Sequence, residues 1–234
     1  MNTIISSDRS IIIACDVSVE KFEELVKETC NIDGIGGYKV GFQLGLSEGL
    51  PKIVALARKY TKKPIIYDHQ KAGTDIPNTG KNFAEVCKNA GIDAVIFFPQ
   101  AGPKTQEAWI ESAKNAGLGV IVGGIMTHQA YLKKDGGYLD DDAVRKIYVN
   151  AAQQGVTDFV VPGNKPEVIK EIKALLEKED ISPIFYAPGF VAQGGRISDA
   201  ALAAGNKWHA IVGRGIYNAE DYRKAAIEHT KEIL

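Results

Sequence analysis

The sequence has little cysteine. Three occur in 234 residues, Cys15, Cys30 and Cys87, and none forms a CxxC pair. That odd, scattered set argues against a disulfide framework or a paired-thiol redox motif and points to reduced thiols in the cytoplasm. Cys15 could be a thiol nucleophile, but Ile11-Ile12-Ile13-Ala14 before it make a buried, inert thiol the simpler reading. No apolar run approaches the roughly 20 residues of a membrane span. Met1–Arg9 is polar and lacks a secretory pattern. Net charge is nearly absent, -1 from 28 basic and 29 acidic residues, so neither nucleic acid nor a membrane surface is indicated as partner. There is no HExxH and no Cys/His cluster, which leaves metal binding poorly supported. No GxGxxG follows the first strand-like run, which weakens a dinucleotide-binding reading. Low-complexity linkers and fixed-period repeats are also missing.

What is present is an ordinary globular composition, 45% apolar and 24% charged. Short apolar runs alternate with longer amphipathic ones. Strands are expected at Ser10–Cys15, Tyr38–Val40, Pro64–Tyr67, Ala94–Phe98, Gly119–Val122, Phe159–Val161, Ile184–Tyr186 and Ala210–Val212. Helices are expected at Ser18–Thr29, Ser47–Tyr60, Asn78–Asn89, Gly102–Asn115, Asp140–Gln154, Asn164–Glu179, Ser198–Ala204 and Ala219–Leu234. Ser18 and Ser47 read as N-caps, the acidic run Asp140-Asp141-Asp142 as an N-terminal charge complement, and Gly91, Gly117 and Gly155 as helix stops. Eight strands alternating with eight helices favour an α/β fold, a (β/α)8 TIM barrel spanning residues 1–234 as a single catalytic domain, over an open doubly wound sheet.

In a barrel the chemistry gathers where strands end. The densest such place is Tyr67-Asp68-His69-Gln70-Lys71-Ala72-Gly73-Thr74-Asp75-Ile76-Pro77-Asn78-Thr79. Two carboxylates and one ammonium leave a buried strand together, among Gly and Pro. Packing does not call for such a cluster, whereas proton transfer or stabilisation of developing charge does. Lys39, in Gly37-Tyr38-Lys39-Val40-Gly41, needs a buried partner, which Asp16 or Asp68 could supply. Asp16 itself could bind a ribose hydroxyl or cap the next helix. Thr127 and His128 open a long connection of the kind that forms lids, with a lone loop His more simply incidental. His69 is a lesser candidate, and His209 and His229 read as structural or solvent-facing. After strands seven and eight, Ala192-Gln193-Gly194-Gly195 and Val212-Gly213-Arg214-Gly215 have the glycines and the bidentate donor of a phosphate site.

These residues resemble the orotidine 5′-monophosphate decarboxylase family, (β/α)8 barrels with an Asp-x-Lys-x-x-Asp motif that runs into Ile-Pro-Asn-Thr. Here the stretch is Asp68-x-x-Lys71-x-x-x-Asp75-Ile76-Pro77-Asn78-Thr79. The resemblance covers nearly the whole chain. It includes Asp16, Lys39-Val40-Gly41, Thr127, Pro188-Gly189 with Gln193-Gly194-Gly195, and Gly213-Arg214 with Ile216-Tyr217. It implies metal-free conversion of orotidine 5′-monophosphate to UMP and carbon dioxide, with no cofactor. It implies Lys71 as cation and proton donor, Asp68 against the substrate carboxylate, and Lys39 between Asp68 and a ribose hydroxyl. It further implies a homodimer in which Asp75, with Ile76 and Thr79 nearby, reaches the partner's site. Asp16 would bind ribose and Thr127 the pyrimidine. Gln193, Arg214 and the neighbouring backbone, with Pro188, would hold the phosphate end.

Each interval of the motif is one residue longer than the family pattern, so the chain must leave regular strand geometry or bulge near His69-Gln70 to bring Lys71 beside Asp68. Two alternatives stand beside this reading. A related group, the 3-keto-L-gulonate 6-phosphate decarboxylases, uses Mg²⁺ and carries a Glu on strand two, where this chain has Lys39. A non-catalytic nucleotide-binding barrel would have no need of the charged cluster.

Overall fold

The structure, a computed structural model, describes residues 3–69, 75–190 and 193–233. Eight parallel strands close a barrel in sequence order. They are β1 (Arg9–Cys15), β2 (Ile35–Val40), β3 (Ile65–Asp68), β4 (Ala94–Phe97), β5 (Gly119–Gly123), β6 (Asp158–Val160), β7 (Ile184–Pro188) and β8 (Trp208–Val212). The closing pair is β1 with β8, in register from Arg9 opposite Trp208 to Ile13 opposite Val212. The helices are α1 (Val19–Thr29), α2 (Phe42–Glu48), α3 (Leu50–Arg58), α4 (Thr79–Asn89), α5 (Pro103–Asn115), α6 (Asp141–Gln153), α7 (Pro166–Glu177), α8 (Ile197–Ala204), α9 (Arg214–Tyr217) and α10 (Tyr222–Ile233). This is the expected (β/α)8 TIM barrel. Among the described residues, no helix is long and apolar enough to cross a membrane.

The period of two divides every strand between two cores. In β1, Ile11, Ile13 and Cys15 face the helices, while Ile12 and Ala14 face the barrel axis with Ile66, Ile96, Ile121, Val160 and Ile211. The barrel is thus filled by side chains rather than hollow. Its floor is polar. Ser10 Oγ lies 2.8 Å from His209 Nδ1, and the Tyr186 hydroxyl donates to Asp158 at 2.8 Å. The Tyr186 and His209 rings stand 4.9 Å apart. Thr157 closes the group with a 2.7 Å hydrogen bond to the other Asp158 oxygen.

Several local signals operate as expected. Ser18 caps α1, accepting from Lys21 N. Asp140 caps α6, accepting from the Asp142 and Ala143 amides at 3.0 and 3.3 Å. Gly91, Gly117 and Gly155 follow α4, α5 and α6 with φ of 82°, 73° and 70°, a region where a Cβ is strained.

The helix expected over Ser47–Tyr60 is instead two. Ser47 does not cap it. Ser47 lies in α2, and its hydroxyl donates to Leu44 O at 3.2 Å. The break falls at Gly49, with φ of 80°, and Pro51 sits in the first turn of α3. Proline lacks the N–H that an unbroken helix would use there, and the first turn is where that lack costs least. The other addition is α9, one turn directly after β8, so that the final helix starts at Tyr222 rather than Ala219.

Candidate active site

Lys39 and Asp68 meet at the top of the barrel. Lys39 sits two residues beyond Gly37 on β2, level with Ala14 of β1 and Ile66 of β3. Asp68 is the last residue of β3, two beyond the inward-facing Ile66. The alternation therefore aims both side chains at the axis. The ammonium donates to Asp68 Oδ2, and the residues are 4% and 1% exposed. Neither charge would be tolerated at that depth alone. Burial by itself pushes the Lys39 ammonium down, but attraction to Asp68 and then Asp16 outweighs it, so its pKa is raised and the lysine stays charged.

A cavity of about 250 Å³ opens above this pair. Asp16, Lys39 and Asp68 line one side. Thr127 and His128 come from the loop after β5, and Pro188, Gly189 and Gln193 from the loop after β7. Gly213, Arg214 and Tyr217 come from the segment after β8. Residues scattered over two hundred positions thus converge on one mouth. Phe98, Ile125 and Met126 form apolar wall. Sequence reading put Phe98 inside the fourth strand and did not single it out; β4 ends at Phe97, which leaves Phe98 at the mouth. The loop after β5 is tied down by the Tyr131 hydroxyl, which donates to Gly124 O at 3.0 Å, while Tyr138 at its outer end is 98% exposed.

Gly189 shows how closely the mouth is built. Its φ is 108°, and a Cβ there would lie 2.9 Å from Thr127 Cγ2, 3.2 Å from Gln193 Oε1 and 3.3 Å from Asn164 Oδ1. Only glycine meets both demands. Gly194 is also left-handed, with φ of 80°, and Gly195 donates its N–H to Gly189 O at 3.1 Å. Neither Gly194 nor Gly195 lines the cavity wall; they shape the loop that carries Gln193.

Three expected site residues stand elsewhere. Asp75, Ile76 and Thr79 lie on the outside of the barrel mouth. Asp75 and Thr79 line a separate cavity of about 620 Å³ with Tyr67, His69, Phe83, Val86 and Trp109. Asp75 Oδ1 accepts from its neighbour Ile76 N at 2.7 Å. Ile76 O accepts from Trp109 Nε1 at 3.1 Å and from the Thr79 hydroxyl at 2.7 Å. The His69 ring is 4.5 Å from Phe83 and 5.7 Å from Trp109, and burial lowers its pKa against the pull of Asp68. His69 therefore packs with the aromatic group and does not line the cavity above Lys39. Lys71, and the departure from strand geometry or bulge expected near His69-Gln70, fall on residues 70–74, outside the described residues.

Cys15 is buried, and its pKa is raised, first by that burial. It is thus a core thiol, as its apolar neighbours suggested. Among the described residues, no group of three or more His, Cys, Asp or Glu is placed to hold a metal ion.

Comparison with known proteins gives a consistent result. The profile of the Orotidine 5'-phosphate decarboxylase / HUMPS family matches residues 9–228. The orotidine 5'-phosphate decarboxylase of Methanosarcina mazei is 36% identical over 224 residues, covering 95% of this chain and 94% of that protein. The crystal structure of orotidine 5'-monophosphate decarboxylase from Methanocaldococcus jannaschii, complexed with the inhibitor BMP, superposes with a TM-score of 0.81 at 25% identity, over 96% of this chain and 98% of that one. The Pyrococcus horikoshii orotidine 5'-phosphate decarboxylase structure gives a TM-score of 0.77 at 29% identity, over 95% and 98%.

Proposed function

The chain belongs to the Orotidine 5'-phosphate decarboxylase / HUMPS family and converts orotidine 5'-monophosphate to UMP and carbon dioxide in pyrimidine biosynthesis; we propose that it does so without a metal, around the buried Lys39–Asp68 pair. The observation that carries this reading is the placement of that pair on the same cavity as Gln193 and Arg214. One side of the cavity suits a reacting centre, and the other suits a phosphate.

Loss of carbon dioxide from C6 leaves an electron pair with no sink in the pyrimidine. The site must stabilise that charge and then protonate the carbon. Lys71 does both, as an adjacent ammonium and then as proton donor. Asp68 lies against the departing carboxylate, whose exit relieves repulsion. Lys39 holds Asp68 in place and reaches a ribose hydroxyl, and Asp16 binds ribose. Thr127 contacts the pyrimidine, and Pro188 walls the phosphate end. Gln193 and Arg214, with the N–H groups near Gly194, Gly195 and Gly213, hold the phosphate. Enzymes reach accelerations of about 10¹⁷-fold, roughly 23 kcal/mol, which no single group supplies. A preorganised charged network, completed when phosphate binding closes the loops, provides it.

The working form is a homodimer of a single barrel domain spanning residues 1–234, in which Asp75 holds the partner's Lys71 equivalent in position. The outward setting of Asp75 supports this. So does the apolar surface beside it: Ile76 next to Asp75 is 60% exposed, and Val86, 61% exposed, lines the open aromatic cavity, a patch suited to a protein interface. The three buried free thiols fit a cytoplasmic setting.

The test is the loss of orotidine 5'-monophosphate absorbance with and without EDTA. Rapid, EDTA-insensitive formation of UMP is expected. Loss of activity with EDTA would transfer the reading to a metal-dependent sugar-phosphate decarboxylase, and UMP binding without carbon dioxide release to a regulatory barrel.

A further inference from the structure

Asn164 lies on the loop between β6 and α7, behind the wall of the cavity rather than on it. Its side-chain Nδ2 donates to Thr127 O at 3.2 Å and, at a longer 3.5 Å, to Gln193 O. Those carbonyls belong to the loops after β5 and β7. The contact is close on every side. A Cβ added to Gly195 would stand 3.0 Å from Asn164 Cα, and the Gly163 N–H next to it donates to Pro188 O at 2.8 Å. The β6 loop is thus a seam joining two loops that the barrel otherwise carries on different strands.

We infer that Asn164 is a positioning residue that couples the pyrimidine side of the site, through Thr127, to the phosphate side, through Gln193. The inference rests on the nucleotide reading above. Two features favour an amide acting here over a side chain that merely fills space. Both its bonds go to backbone carbonyls, so it constrains loop position and not a neighbour's rotamer. Among the described residues its Oδ1 is buried without a hydrogen-bond partner, an unfavourable arrangement that packing alone does not call for. What the amide contributes is its pair of N–H donors, which a carbonyl-lined seam requires. A substrate phosphate that draws in Gln193 therefore also pulls on the loop of Thr127, and remote binding energy reaches the ring.

The test compares orotidine 5'-monophosphate with orotidine, which lacks the phosphate, in wild type, Asn164→Ala and Asn164→Asp. With the wild type active, each variant should lose about 10-fold or more in kcat/KM for the phosphorylated substrate. Orotidine turnover should stay unchanged, because no phosphate is present to transmit. Asn164→Asp, isosteric but without donors, should do at least as badly as Asn164→Ala. Combining Asn164→Ala with Gln193→Ala should be markedly non-additive. Equal losses for the two substrates, strict additivity, or full activity of Asn164→Asp would each overturn the coupling while leaving the decarboxylase reading intact. A folded wild type without orotidine 5'-monophosphate turnover would remove both.

Discussion

Lys39 and Asp68, 29 residues apart in the chain, form an ion pair at the barrel mouth in which both side chains are almost wholly shielded from water. Removing the Lys39 ammonium takes a buried donor and counter-charge away from Asp68. Lys39→Ala should therefore destabilise the fold by about 3–5 kcal/mol and cut turnover by at least about 100-fold. The double variant Lys39→Met/Asp68→Leu should recover most of the stability and none of the activity. Denaturant unfolding and the decarboxylation assay, run on the same samples, check both halves.

Arg214 lines the same cavity and is exposed, a donor facing the mouth. Arg214→Ala should raise KM for orotidine 5'-monophosphate by about 10- to 100-fold, the range for losing a charge-assisted contact. Orotidine should be turned over equally by variant and wild type. A matching loss for orotidine would move Arg214 away from the phosphate.

The assignment of Lys71 and Asp75 to different subunits makes a prediction about mixtures. Lys71→Ala and Asp75→Asn should each be nearly inactive, with Lys71→Ala still binding UMP. Mixed after reversible dissociation, they form heterodimers with one intact site of two, and isologous symmetry predicts recovery of about a quarter of wild-type activity. No recovery would place both residues in one subunit's site.

The barrel floor titrates independently of this chemistry. Burial lowers the His209 pKa from 6.5 to about 4, with Asp8 opposing. The unfolded chain therefore takes up a proton on His209 below pH 6.5 that the folded chain refuses until about pH 4. Stability present above pH 6.5 is lost as pH falls through that window, roughly 3 kcal/mol in all. Asp158 acts with the opposite sign: burial raises its pKa, so its contribution is held at low pH and lost as pH rises through the folded value. It is common to wild type and His209→Gln and cancels in their comparison. Unfolding free energies across pH 4–7.5 should show a constant difference above pH 6.5 and a shift in favour of His209→Gln below it.

Much of this protein was legible one residue at a time. Short apolar runs alternating with amphipathic ones placed the barrel, because strands buried on both faces read as near-continuous apolar segments. Gly91, Gly117 and Gly155 ended helices because a left-handed residue after a helix needs no tertiary help. Asp16, Lys39, Asp68, Thr127, Gln193 and Arg214 were readable because strand ends in such a barrel share one face. Local signals failed where two competed. Ser47 looked like a cap, but Gly49 and Pro51 two and four residues on set the actual break.

What the chain could not show locally was partnership across loops. That Lys39 pairs with Asp68 and not only Asp16, that His69 turns into Phe83 and Trp109, and that Asn164 bridges Thr127 and Gln193 depend on residues dozens of positions apart. The same holds for Asp75, whose outward setting no spacing rule states. Pattern and turn chemistry act over a few residues and so are written in the sequence. Contacts between loops depend on how eight strands close into one barrel, and only the closed barrel decides them.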